Sequence, residues 1–129
     1  MGYSIPAAIG AKLADPARTV VAVCGDGSFQ MEMMELATIC QHDVDVKIVV
    51  MRNGKLGLVK EIQKKSYKNN ETAVDLTGSP DVVAIAKAYG IPGRSIDSMD
   101  SAAEAIAEMI SHKGTFLLEC VVDENESSM

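Results

Sequence analysis

Apolar residues along the chain follow two periods, and the switches between them mark the elements. Met1–Ala14 carries Ile5, Ile9 and Leu13 at helical spacing, with Ala7, Ala8 and Gly10 between them to allow close packing on a sheet. Ser4 is its expected N-cap, and Pro6 falls in its first turn, where a missing N–H does no harm. Asp15-Pro16 ends this helix, because the residue before proline avoids helical backbone. Thr19–Cys24 is almost uninterruptedly apolar and reads as a strand buried on both faces. From Ser28 to about Gln41 the period is helical again, and Phe29, Met33, Leu36, Ala37 and Cys40 form a predicted core stripe. A second strand over Val46–Met51 and a helix over Leu56–Lys65 follow. Ser66–Ser79 is polar and uneven, the pattern of a mobile loop. Ser79-Pro80 starts a helix over Asp81–Tyr89, and Gly90 closes it. A short strand at Arg94–Ile96 precedes an amphipathic helix over Ser101–Ser111 with Ala103, Ile106 and Ile110 on one face. The last strand is Thr115–Val122, and the polar tail Asp123–Met129 is expected to fray. Strands alternating with helices predict an α/β fold: a parallel sheet with helices on both faces.

Bulk composition narrows the function classes. A chain of 129 residues makes one domain, and its 47% apolar and 23% charged content is that of a globular protein. A net charge of −6, with no basic patch, argues against nucleic acid as partner. No apolar run is long enough for a bilayer, and no secretory signal opens the chain, so a cytoplasmic location is expected. Cys24, Cys40 and Cys120 have no metal-type spacing and read as reduced, buried, small apolar residues. His42 and His112 stand far apart, which argues against a shared metal. Met31, Met33 and Met34 read as core and flank filling.

The chemistry concentrates in Val20–Gln30, where an apolar run meets Gly25-Asp26-Gly27 and a helix begins at once. Backbone N–H groups at such a turn favour an anion. The Asp26 carboxylate would repel a bare phosphate, so a cation must lie between them. A phosphate loop with Gly-Lys-Ser/Thr is excluded because Ser28-Phe29 follows Gly27. A dinucleotide fingerprint is excluded because Gln30 stands where its third small residue belongs. A divalent cation held by Asp26 and a second oxygen, with a diphosphate completing its shell, is the reading that remains. Asn53, at the carboxyl end of the next strand, supplies the second oxygen, a donor set that suits Mg²⁺. Taken singly, Asp26 is also a helix N-cap and Asn53 a turn residue before Gly54.

Gly25-Asp26-Gly27-Ser28, the 26 residues from Gly27 to Arg52, and then Asn53 resemble the thiamine-diphosphate motif that begins Gly-Asp-Gly and closes Asn-Asn. Met1–Lys12 and Leu56-Gly57-Leu58-Val59 resemble the flanking segments of its acetolactate synthase and pyruvate oxidase group. The resemblance implies thiamine diphosphate and Mg²⁺ as cofactors. It makes Asp26, Asn53 and the carbonyl of Lys55 the metal ligands. Gly25, Gly27 and Ser28 would contact the diphosphate, with Gly57 and Leu58 close by, and Met1 falls at the residue that props the bent cofactor. It implies decarboxylation of pyruvate and condensation with a second 2-oxo acid, with pyruvate oxidase and 2-oxo acid decarboxylase as alternatives. Arg52 replaces the first Asn of the pair, and Ile62 stands where acetolactate synthases carry Trp, although Tyr67-Lys68 fits that subgroup.

In this family a glutamate that assists the cofactor comes from a pyrimidine-binding domain of the same or a neighbouring subunit. None of this chain's glutamates lies in a matching motif; Glu32 and Glu35 read as dipole partners of their own helix. The resemblance therefore predicts the diphosphate-binding domain of a longer three-domain enzyme, lacking its first strand and inactive alone. A flavin, where such an enzyme uses one, would bind outside this chain. A homo-oligomer is expected. A stand-alone binding or subunit-interaction module is the non-enzymatic alternative.

Overall fold

The computed structural model describes residues 1–125. Among the described residues there are four parallel strands: β1 (Val21–Gly25), β2 (Lys47–Arg52), β3 (Gly93–Ile96) and β4 (Phe116–Val121). Their order across the sheet is β1-β2-β4-β3, so the last strand inserts between β2 and β3. The helices are α1 (Ser4–Ala14), α2 (Asp26–Glu32), α3 (Glu35–His42), α4 (Gly57–Ser66), α5 (Val82–Ala88) and α6 (Ala102–Ser111). No helix among the described residues is long and apolar enough to cross a membrane.

Helices cover both faces of the sheet, but unequally. On one face Ala22, Cys24, Ile48, Val50 and Leu117 meet Ile5 and Ile9 of α1, Phe29 of α2, Leu36 and Ile39 of α3 and Ala86 of α5. Each of the larger of these side chains contributes about 1.5–3 kcal/mol by leaving water. Phe29 is fully buried only three residues after Asp26, so the core itself holds the Gly25–Gly27 turn in place. On the other face α6 alone sets Ala105 and Met109 against Phe116 and Leu118. Buried Lys47 pins the start of β2 to the turn after α6, donating to the Asp45 carboxylate at 2.7 Å and to the carbonyls of His112 and Gly114.

Several expectations are corrected. β1 is not buried on both faces: Val21 and Val23 are exposed, Val23 at 58%, because β1 is a sheet edge and α6 does not reach it. The helix over Ser28–Gln41 is two helices. Its break at Met33-Met34 carries i+3 bonds from Leu36 N–H to Met33 O and Ala37 N–H to Met34 O. That tightened turn shifts the phase, so Ile39 is buried while Ala37 and Cys40 are exposed. Met31 and Met34 lie on the exposed flank, and Met33 packs on the core. In α6 the buried face is Ala105 and Met109, whereas Ala103, Ile106 and Ile110 are exposed. Tyr3, not Ser4, occupies the N-cap position of α1 and offers no side-chain cap. Asp81 caps α5 by accepting the Ala84 N–H at 2.9 Å, and Gly90 ends that helix at φ +76°. The described part of the polar tail is tied down through Glu124 and Asn125; residues 126–129 lie outside the described residues.

Candidate cofactor site

The carboxyl ends of β1 and β2 lie side by side, Gly25 against Met51, and this brings the two halves of the motif together. Gly25 is extended at φ −80°, ψ 161°, and α2 begins at Asp26. The Asp26 carboxylate is 2% exposed. Its Oδ1 accepts the Gly27 N–H at 2.9 Å and its Oδ2 accepts the Gly54 N–H at 2.8 Å. Asp26 is the first residue of α2 and not its N-cap, which is Gly25; its carboxylate fastens the turn after β2 to the turn after β1. Asn53 Oδ1 accepts the Lys55 N–H at 3.0 Å, an Asx turn made possible by Gly54 at φ +68°. Gly57 starts α4 so close to Asn53 that a Cβ there would lie 3.0 Å from Nδ2.

The segment predicted as a mobile loop is a strap across this turn. Leu56 N–H donates to Val74 O at 2.8 Å, and Leu76 N–H to Gly54 O at 3.0 Å. The Lys55 ammonium bridges the carboxylates of Asp75 and Glu124. Leu56 and Leu76 close over Gly27, where a Cβ would meet Leu56 Cδ2 at 2.7 Å and Leu76 Cδ1 at 3.4 Å. Val74 is fully buried, and Val74-x-Leu76 is the one period-two apolar pair in a polar stretch. That pair was the available signal for the strap.

The donor set fits a hard divalent cation. Asp26 has no cationic side chain within ion-pair distance among the described residues, and a buried carboxylate without one is costly. Among the described residues nothing donates to the Lys55 carbonyl, so carboxylate, amide and carbonyl oxygens gather at one turn. Ser28 is half committed: its hydroxyl accepts the Gly2 N–H at 3.1 Å. Leu58 is exposed on α4, and Met1 is exposed ahead of α1.

Three groups near the site carry roles that the pattern did not reveal. Arg52 is engaged by Glu119, which is buried in β4 and accepts Arg52 at 3.3 Å and the Ser95 hydroxyl at 2.5 Å. Glutamate inside the apolar run Phe116–Val121 was the sign of a buried pair. Glu35 does lie in the first turn of its own helix, α3, but Glu32 ends α2, is buried, and accepts the Ile5 N–H of α1 at 3.3 Å. Burial raises the Glu32 pKa, opposed by the Ile5 N–H, the chain's terminal ammonium and Ser28.

The cysteines also diverge from the expectation that all are buried. Cys24 is buried, Cys40 exposed and Cys120 intermediate. Burial, with the Glu32 and Asp26 carboxylates adding to it, pushes the Cys24 thiol from 9.0 up to about 12. Three pKa units leave about 1,000-fold less thiolate at neutral pH. Alkylation of the folded chain at pH 8, followed by peptide mass spectrometry, should therefore mark Cys40 and leave Cys24 unmodified until the chain unfolds. Equal labelling of the two would refute the packing around β1.

Comparison with known proteins places this arrangement. A family model described as thiamine pyrophosphate enzyme, C-terminal TPP binding domain, matches residues 1–120. An acetolactate synthase of Arthrospira platensis is 38% identical over 127 residues, covering 98% of this chain and 22% of that protein. The large subunit of acetolactate synthase isozyme 2 of Escherichia coli is 38% identical, covering 98% and 23%. A probable acetolactate synthase large subunit of Methanocaldococcus jannaschii is 40% identical, covering 98% and 22%. The chain thus spans less than a quarter of the length of these curated relatives. Among solved structures, the Rhodococcus jostii thiamine diphosphate-dependent 4-hydroxybenzoylformate decarboxylase superposes with a TM-score of 0.89 at 28% identity, over 98% of this chain and 24% of that one. The turn at Gly25–Gly27, the parallel sheet that presents it and these likenesses agree: the chain belongs to the thiamine pyrophosphate enzyme family, as its C-terminal TPP binding domain.

Proposed function

We propose that the chain binds Mg²⁺ and the diphosphate of thiamine diphosphate for a longer acetolactate-synthase-like enzyme. The observation that carries the reading is the buried Asp26 carboxylate, without a cationic partner and bonded to the turn that bears Asn53. Asp26, Asn53 Oδ1 and the Lys55 carbonyl would hold the metal, and the turn Gly25–Ser28, with Gly57 and Leu58 close by, would take the diphosphate, the Gly27 N–H being engaged by Asp26 Oδ1. When bound, thiamine diphosphate supplies a nucleophilic carbon that takes up 2-oxo acids and permits loss of carbon dioxide. This chain's residues bind and orient. Leu56 and Leu76 keep water off Gly27, and the Lys55 ammonium fastens the strap that carries Leu76.

The reaction we assign is decarboxylation of pyruvate and condensation with a second 2-oxo acid, on the strength of the likeness to acetolactate synthases. A decarboxylase is the second reading, favoured by the name of the superposed structure. The activating glutamate would come from a pyrimidine-binding domain of the same or a neighbouring subunit, since Glu32 and Glu35 are both engaged in helix contacts. Exposed apolar residues on α4 (Leu58, Val59 and Ile62) and on the open face of β1 (Val21 and Val23) support such a partner. A cytoplasmic location is part of the same proposal.

Titration calorimetry of thiamine diphosphate into the 129-residue chain tests the site. Binding should require Mg²⁺ and weaken at least about tenfold once the metal is chelated. Binding of equal strength without metal would overturn the reading, and carbon dioxide release from pyruvate by this chain alone would overturn the missing-glutamate argument.

A further inference from the structure

We propose that Glu32 is a positioning residue: together with Ser28 it clamps the first turn of α1 onto the helix that carries the cofactor turn. α1 has no acidic residue in its first turn and no side-chain cap. Instead α2 serves the Ile5 amide of that first turn and the Gly2 amide of the segment leading into it. Ser28 and Glu32 lie four residues apart and so share one face of α2. The Ser28 hydroxyl accepts the Gly2 N–H at 3.1 Å, and Glu32 Oε2 accepts the Ile5 N–H at 3.3 Å. Glu32 is 2% exposed, and its Oε1 has no partner among the described residues. A half-satisfied buried carboxylate is a poor packing group. Its placement makes sense against the positive end of an 11-residue helix that has no acid of its own. Because Ser28 also belongs to the proposed diphosphate turn, the clamp ties the position of Met1–Tyr3 to that turn. The functional half of this inference rests on the thiamine diphosphate reading; the clamp does not.

The test compares Glu32→Leu, Glu32→Gln and the double variant Glu32→Leu/Tyr3→Ser in the full chain. It reads Ile5 amide exchange, Leu118 amide exchange and thiamine diphosphate affinity with Mg²⁺. In Glu32→Leu, Ile5 should exchange about tenfold faster with Leu118 unchanged, and affinity should fall about fivefold. Glu32→Gln keeps an acceptor at the same reach and should stay within about threefold on every readout, which also serves if the leucine variant does not fold. Tyr3→Ser gives α1 a cap of its own, so it should recover Ile5 protection but not affinity. Recovery of both would reduce Glu32 to helix stabilisation and overturn the clamp. So would equal acceleration at Ile5 and Leu118, or a glutamine variant as impaired as the leucine one. If the unaltered chain binds no thiamine diphosphate, the proposed function fails, while Ile5 exchange still decides the clamp.

Discussion

Replacing Asp26 with alanine should weaken Mg²⁺-supported binding of thiamine diphosphate by at least about 100-fold, or about 2.7 kcal/mol. Groups that merely orient metal ligands are worth 10- to 100-fold, and Asp26 is the only carboxylate among the proposed ligands. Folding should suffer far less. Alanine leaves the Gly27 and Gly54 N–H groups without their acceptor, a loss of about 1–2 kcal/mol. It also removes a buried charge that has no cation beside it, which offsets part of that loss. Calorimetry gives the affinity, and thermal unfolding with and without cofactor separates the two effects. The unaltered chain should gain several degrees with cofactor and Mg²⁺ present; the variant should gain nothing. An Asp26→Ala chain that still binds with Mg²⁺-dependent affinity would remove Asp26 from the site.

Arg52→Asn should destabilise the chain by about 2 kcal/mol, although it restores the Asn-Asn pair of the thiamine-diphosphate motif. Glu119 is buried in β4, and Arg52 is its only cation among the described residues. Removing one partner of a buried pair costs about 3–5 kcal/mol. The Arg52 side chain is 40% exposed and Ser95 still serves the carboxylate, so a smaller figure applies. For a domain of this size that is a fall of roughly 6–10 °C in Tm. Adding Glu119→Gln removes the stranded charge and should recover about half of the loss, a coupling that a double-mutant cycle measures. Cofactor affinity should change less than about fivefold, because Asp26 and Asn53 are untouched. An Arg52→Asn chain as stable as the original would show that the pair contributes nothing. The departure from the motif is thus compensated locally, by a glutamate three strand positions into β4.

The corner that joins Asp26 to the Asn53 turn was legible because it is local in two places. A β-branched run that stops at Gly-Asp-Gly has few options besides a strand, a turn and a helix, and Asn-Gly ends the next strand with the same economy. Parallel pairing then sets those two ends side by side without any further information. Four of the expected contacts, at Asp26, Gly27, Asn53 and Lys55, are joined by hydrogen bonds within that corner. The strap was missed because its hydrogen bonds link Gly54 and Leu56 to Leu76 and Val74, and a polar loop gives no periodic signal of such a partner. Glu32 was assigned to its own helix because the dipole argument is local, whereas the amide that it accepts lies 27 residues earlier.

Alternating apolar runs and helical stripes were enough to specify the strands, parallel pairing and the Asp26–Asn53 corner, and the helices apart from the break at Met33-Met34. They could not say which side of an element meets the core. Ile106 and Ile110 obey a helical period as well as Ala105 and Met109 do, yet only the second pair lies over Phe116 and Leu118. Val23 is as apolar as Ala22 and still faces outward, because β1 is an edge and one helix covers that face. Burial is a property of contacts between distant segments, and these depend on sheet order and on how many helices each face receives. The same reason governs charge. Glu119 and Glu32 are ordinary acids in one dimension, and folding alone gives one of them Arg52 and the other the first turn of α1.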